Sequence, residues 1–167
     1  IINNDLANTI GNLLNRTTSM SRKWFNNKTP SISEKNNNEI RTLANNSIKN
    51  YLIYFDSYKI DKAANEILNL AINVNLYLNK KEPWSLIKDD KNINEIKLII
   101  YNVLEATRII GTLIKPILPN ISLKILNQLG ENEFENIDWE KRLKWGLLPK
   151  AADLPKPIPI INKLDYE

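Results

Sequence analysis

Cysteine and histidine are both absent from the 167-residue chain. Their absence removes disulfides, thiol nucleophiles and the imidazole base, and takes away the usual ligands of most transition-metal sites. Glycine is scarce, with four residues, and no glycine-rich phosphate cradle occurs. Of the eight prolines most lie after residue 115, so the first two thirds of the chain can run in long helices with few breakers. There is no run of 18 uninterrupted apolar residues, and the opening IINNDLANTI lacks a basic flank and an apolar signal core. Neither a membrane span nor secretion is therefore indicated, and a cytoplasmic protein without a membrane partner is expected. No nucleophile has a base beside it, and the carboxylates Asp89/Asp90 and Asp61/Glu66 fall in stretches that read as solvated. The expectation is a chain with no catalytic residue, no metal site and no cofactor of its own.

What is present is an ordinary globular composition, 43% hydrophobic and 25% charged. A domain of this size buries roughly 68–70% of the surface its unfolded chain exposes, enough for a real core. The net charge of +4 is mild, but it is unevenly spread. Residues 1–30 carry Arg16, Arg22, Lys23 and Lys28 against Asp5 alone, whereas residues 131–149 carry more acids than bases. Such a basic end admits a nucleic acid partner without demanding one. The asparagine runs, Asn36 to Asn38 among them, are given no functional weight. A start without methionine that enters a helix within a few residues reads as part of a longer polypeptide.

Apolar residues at helical spacing predict five helices. The first is capped by Asn3 or Asn4, carries Leu6, Ile10, Leu13, Leu14, Met20 and Trp24, and runs toward Pro30. A second starts at Ser31 or Ser33 and buries Ile40, Leu43, Ala44, Ile48, Tyr51, Leu52 and Phe55. The third follows a cap at Asp61, and the fourth, from Asn92 or Asn94 to Ile114, is apolar nearly all round and is expected at the centre. The fifth runs from Pro119 to Leu129 with Gly130 as a left-handed cap. The stretch DWEKRLKWGLLP reads as one short helix and a turn. The prolines Pro155, Pro157 and Pro159 then forbid a helix and favour an extended strap. The fold class is thus all-α, a helix bundle over residues 1–149 with an extended Pro-rich C-terminal strap over 150–167 belonging to the same domain.

Two local patterns carry chemistry. On the first helix, opposite the apolar stripe, Asp5, Asn8, Asn12, Asn15 and Arg16 fall three or four residues apart. Asn12 and Arg16 are an i, i+4 pair whose side chains lie side by side. Amide and guanidinium groups offer planar hydrogen-bond patterns suited to base edges, and guanidinium also holds phosphate. The same spacing fits an ordinary solvated face.

The second is Asn79 to Asp90, NKKEPWSLIKDD, where Pro83 and Trp84 sit in a basic connection between helices. A tryptophan there is either a plug for the core or a platform on which a base stacks; a proline that fixes φ would hold such a platform rigid. Lys80, Lys81 and Lys88 surround it, and with Arg22 and Lys23 they are the candidate phosphate contacts. Trp24, Trp139 and Trp145 read as structural.

Four stretches taken in order, NNDLANTIGNLLNR at 3–16, EPWSL at 82–86, YNVLEATRIIGTLIKPILP at 101–119 and WGLLP followed by KPIPII, resemble the C-terminal anticodon-binding domain of methionyl-tRNA synthetases. The resemblance spans essentially the whole chain. It implies a helix bundle behind a class I catalytic domain, binding the CAU anticodon in the anticodon loop of methionine tRNA, with no DNA partner. It further implies that Trp84 stacks on an anticodon base, that Asn12 and Arg16 bond base edges or backbone, and that Pro83 shapes the turn. The HIGH and KMSKS signatures of the family's catalytic domain do not occur, so the resemblance implies that ATP and methionine bind in a domain absent from this chain. Where the family's tail reads Leu-Phe-Pro and a basic residue, this chain has Ile160, Ile161, Asn162 and Lys163. The rival assignments are the corresponding domain of another class I synthetase, and a helical protein–protein module with Trp84 as its hot spot.

Overall fold

The computed structural model describes residues 2–32, 38–132 and 138–161; of the side chains before residue 8, only that of Leu6 is described. Five long helices form the bundle: α1 (Ile2–Trp24), α2 (Glu39–Asp56), α3 (Ile60–Lys81), α5 (Ile93–Leu113) and α6 (Pro119–Gln128), with a single-turn helix α4 (Pro83–Leu86) between α3 and α5. Short 3₁₀ turns occur at Asp90–Asn92 and Glu140–Leu143. Among the described residues extended pairing is limited to one antiparallel bridge, Lys28 with Asp153, and no helix is long and apolar enough to cross a membrane.

The expected centre is the observed one. Every residue of α5 from Ile99 to Leu113 is buried, and α1, α2, α3, α4 and α6 all pack on it. α1 turns Leu6, Ile10, Leu13 and Leu14 inward, and α3 turns Ile67, Leu70, Val74 and Leu78. Each such side chain contributes roughly 1.5–3 kcal/mol by leaving water. At Gly111 on α5 an added Cβ would lie 2.8 Å from Ile125 Cγ2 and 3.3 Å from Ile125 Cβ, and the Gly111 carbonyl accepts from Ser122 Oγ at 2.6 Å. Atoms that close to a backbone cannot swing aside. Gly111→Ala is therefore expected to destabilise by about 1 kcal/mol net in thermal denaturation, overpacking of ~1–3 kcal/mol outweighing a helix-propensity gain of ~1 kcal/mol.

A charged pair sits inside this apolar helix, which periodicity alone would not lead one to expect. Glu105 and Arg108 are both fully buried. Arg108 donates to Glu105 through Nε (3.0 Å) and Nη2 (2.7 Å), and to the carbonyls of Arg142 (2.7 Å) and Lys144 (2.8 Å). Glu105 in turn accepts from the backbone N–H groups of Gly146, Leu147 and Leu148. The pair is the anchor to which the irregular chain from 142 to 148 is tied. Nearby, Arg142 pairs with Glu131, and burial, reinforced by the Arg108 charge, lowers the Arg142 pKa from its ordinary value.

Several helix boundaries differ from the sequence expectation. α1 ends at Trp24 rather than near Pro30, because Asn26 and Asn27 take left-handed φ values of 54° and 61°. α2 begins at Glu39: Ser31 is not helical, Ser33 lies outside the described residues, and Asn38 caps the helix by accepting from Arg41 N at 2.8 Å. One residue of the Asn36 to Asn38 run thus caps a helix. α3 starts at Ile60, one residue before the expected Asp61 cap, after Lys59, whose side chain makes no capping bond. At the end of α6, Gly130 has φ 82°, and Glu131 N reaches back to Leu126 O at 3.1 Å, as a left-handed glycine cap should.

The described part of the tail, through Ile161, contains no helix. It is fixed by Leu154 N to Asn27 O (2.8 Å) and Thr29 N to Ala152 O (2.9 Å), and by two bonds between the Gln128 amide and the Ile158 backbone. Ile160 is buried, 3.4 Å from where a Cβ on Gly11 of α1 would lie. Asn162 and Lys163 lie outside the described residues.

Candidate functional site

The proline and the tryptophan of the Pro-Trp stretch differ in burial, the first enclosed and the second exposed. α3 ends at Lys81 and is capped by Glu82, whose left-handed backbone (φ 45°, ψ 55°) turns the chain, and Pro83 follows as the first residue of α4. That position suits proline, whose missing N–H would have no helical partner there. Pro83 is buried, and Leu86 and Ile87 pack against the core, so they form the plug. Trp84 points outward and is 38% exposed. The other three tryptophans pack against the core, and Trp139 donates to Thr112 O at 2.6 Å while its ring meets Tyr51 and Phe55.

Arg16 of α1 reaches the same place. Its Cζ lies over the Trp84 ring, 5.6 Å from the centroid, within cation–π range. Its Nη2 donates to Asn79 Oδ1 on the last turn of α3 at 2.9 Å. Three elements therefore converge through three side chains: Arg16 from α1, Asn79 from α3 and Trp84 from α4. Asn12 is exposed one helical turn before Arg16, on the same face of α1. Asn8 and Asn15 are exposed as well, and Asn15 Oδ1 accepts from Ser19 Oγ at 3.1 Å. The Asp5 side chain lies outside those described.

The candidate phosphate contacts fall into two groups. Lys80 and Lys81 occupy the last turn of α3 beside Asn79, where a cation also complements the helix dipole. Lys80 and Lys88 are exposed, while Lys81 Nζ lies 5.6 Å from the Tyr77 ring centre. Burial raises the Tyr77 pKa, with Asn102 acting the other way, so Lys81 meets a neutral phenol. Arg22 and Lys23 stand at the far end of α1. Lys23 is exposed, but Arg22 is half-buried and donates from Nη1 to Leu154 O at 2.9 Å, so a phosphate would compete with the tail for it.

Asn79 is the residue that sequence reading missed. It lies 63 positions from Arg16, and no periodic or motif signal links the two. Its only mark in the sequence was standing at the head of the Pro-Trp stretch.

Residues 28–165 match the family profile described as the anticodon binding domain of methionyl tRNA ligase. The chain belongs to that family. The methionine–tRNA ligase of Caldanaerobacter subterraneus subsp. tengcongensis is 34% identical over 168 residues, covering 99% of this chain and 26% of the relative. The methionine–tRNA ligase of Rickettsia bellii is 32% identical over 169 residues, covering 98% of this chain and 33% of the relative. Among solved structures, the free form of Mycobacterium tuberculosis methionyl-tRNA synthetase superposes with a TM-score of 0.84 at 27% identity, over 95% of this chain and 32% of that one. The chain thus spans about a quarter to a third of the length of these relatives. Pro83, Trp84 and Asn79 fall inside the profile match of this anticodon-binding family, whereas Asn12 and Arg16 precede it and are covered only by the longer alignments to methionine–tRNA ligases.

Proposed function

We propose that this domain recognises the CAU anticodon of methionine tRNA, as part of a methionine–tRNA ligase whose ATP- and methionine-binding catalytic domain lies outside this chain. The observation that carries this reading is the Arg16 guanidinium lying over the Trp84 ring. It makes a single surface of the amide-and-guanidinium strip of α1 and the Pro-Trp turn. Trp84 offers a π face held stiff by Pro83 and the buried base of α4, so stacking a base on it loses little side-chain entropy. Arg16 retains donors beyond the one given to Asn79, and with the Asn12 amide it can address base edges or backbone. Lys80, Lys81 and Lys88 add positive charge for the phosphates.

An anticodon loop suits such a surface because its unpaired bases can be splayed out, whereas a duplex in the A form hides base edges in a deep groove. Base stacking is worth roughly 1–3 kcal/mol per base, and a good bidentate contact discriminates by a similar ~1–3 kcal/mol, so very few residues suffice for selective binding.

The test is a titration of the full-length ligase with methionine tRNA and with a transcript of altered anticodon. Wild type is expected to prefer the CAU loop, and its affinity to fall steeply as salt rises. Arg16→Ala is expected to narrow the preference by roughly tenfold with little change in melting temperature, since the side chain is not enclosed. Equal affinity for both transcripts, or salt-insensitive association, would point instead to a protein-binding role for the exposed indole.

A further inference from the structure

We propose that Asn79 is a positioning residue for RNA selectivity, acting through Arg16. The proposal rests on the anticodon reading above and names a residue outside the Asn12, Arg16 and Trp84 set. Arginine has a long, rotamer-rich side chain, and ordering one on binding costs about 0.5–1.5 kcal/mol. An exposed guanidinium left free would meet any phosphate within its reach and so would add affinity without selectivity.

Two contacts prevent this. The Arg16 Cζ lies over the Trp84 ring, 5.6 Å from its centroid, and Asn79 Oδ1 accepts from Nη2 at 2.9 Å. A ring face supplies attraction but little direction in its own plane; the amide oxygen, fixed on the last turn of α3, supplies the direction. The guanidinium is thereby turned one way before RNA arrives, with its remaining N–H donors aimed by the bond to Asn79. Because the amide is neutral, it orients the cation without cancelling the charge. Asn79 is itself exposed, so its removal opens no cavity.

The experiment is a double-mutant cycle in the full-length ligase, Asn79→Ala, Arg16→Ala and the pair, read as kcat and KM for methionine tRNA and for an altered-anticodon transcript, with melting temperatures alongside. Asn79→Ala is expected to raise KM for methionine tRNA about fivefold with kcat and melting temperature unchanged, and to raise KM for the altered transcript less, so that selectivity falls. In the Arg16→Ala background the same change is expected to do nothing further. An Asn79→Ala effect of equal size without Arg16 overturns the proposal, as does no effect with it. If Arg16→Ala and Trp84→Ala leave KM for methionine tRNA unchanged, the anticodon reading fails and this proposal falls with it. If those two raise KM and Asn79→Ala does not, the role of Asn79 alone is disproved.

Discussion

Glu105→Ala is expected to lower the stability of the domain by about 3–5 kcal/mol, read from equilibrium urea denaturation, because it leaves the buried Arg108 charge without its partner. That is a large part of the ~5–15 kcal/mol that separates a typical native domain from its unfolded chain. Many buried ion pairs can be replaced by apolar residues at little net loss. This one differs, because its two members also bond the backbone of the segment they anchor. Glu105 satisfies the N–H groups of Gly146, Leu147 and Leu148, and Arg108 satisfies the carbonyls of Arg142 and Lys144. Combining Glu105→Leu with Arg108→Met removes the unpaired charge but orphans these backbone groups, each costing roughly 1–3 kcal/mol if still buried. The double variant is accordingly expected to stay well below wild type. Recovery to wild-type stability would mean that the segment from 142 to 148 has other means of satisfying its backbone.

The second large effect concerns binding rather than folding. Trp84→Ala is expected to weaken methionine tRNA binding by the loss of one stacked base, roughly 1–3 kcal/mol, or about fivefold to 150-fold in dissociation constant. The fold should survive, since the buried part of the turn is Pro83 with Leu86 and Ile87 rather than the indole. Trp84→Phe keeps a smaller π face and should fall between alanine and wild type. Because Arg16 rests on the same ring, part of the alanine effect arises through Arg16, and the sum of the two single losses should exceed that of the double variant. Undiminished tRNA binding by Trp84→Ala would remove the platform from the account altogether.

Much of the helical architecture was legible because helices are local. Leu6, Ile10, Leu13 and Leu14 announce one face of α1, the unbroken apolar character of α5 announces a central position, and Gly130 announces an end. The start of α2 was misread where capping competes among many similar residues. An Asn-rich chain offers several plausible caps, and it was the packing of α2 on α5, with Asn38 also donating to Asn102 Oδ1 at 3.2 Å, that selected one. Glu105 and Arg108 stood in plain view three residues apart, yet a pattern of apolar spacing treats such a pair as an interruption. Recognising it as the interior anchor needed the backbone of residues 142–148.

The sequence by itself determined that this is an all-α chain without thiol or imidazole chemistry, and that Asn12 and Arg16 share a helix face while a proline stiffens the turn before Trp84, because each of those follows from stereochemistry within a few residues. The tertiary structure alone decided that Pro83 fills the plug and Trp84 faces water, and that Arg16 meets Asn79 from 63 residues away and the indole from still farther along the chain. Contacts of that separation depend on how whole helices pack, and packing depends on the shape and volume of every side chain between them rather than on any spacing along the chain.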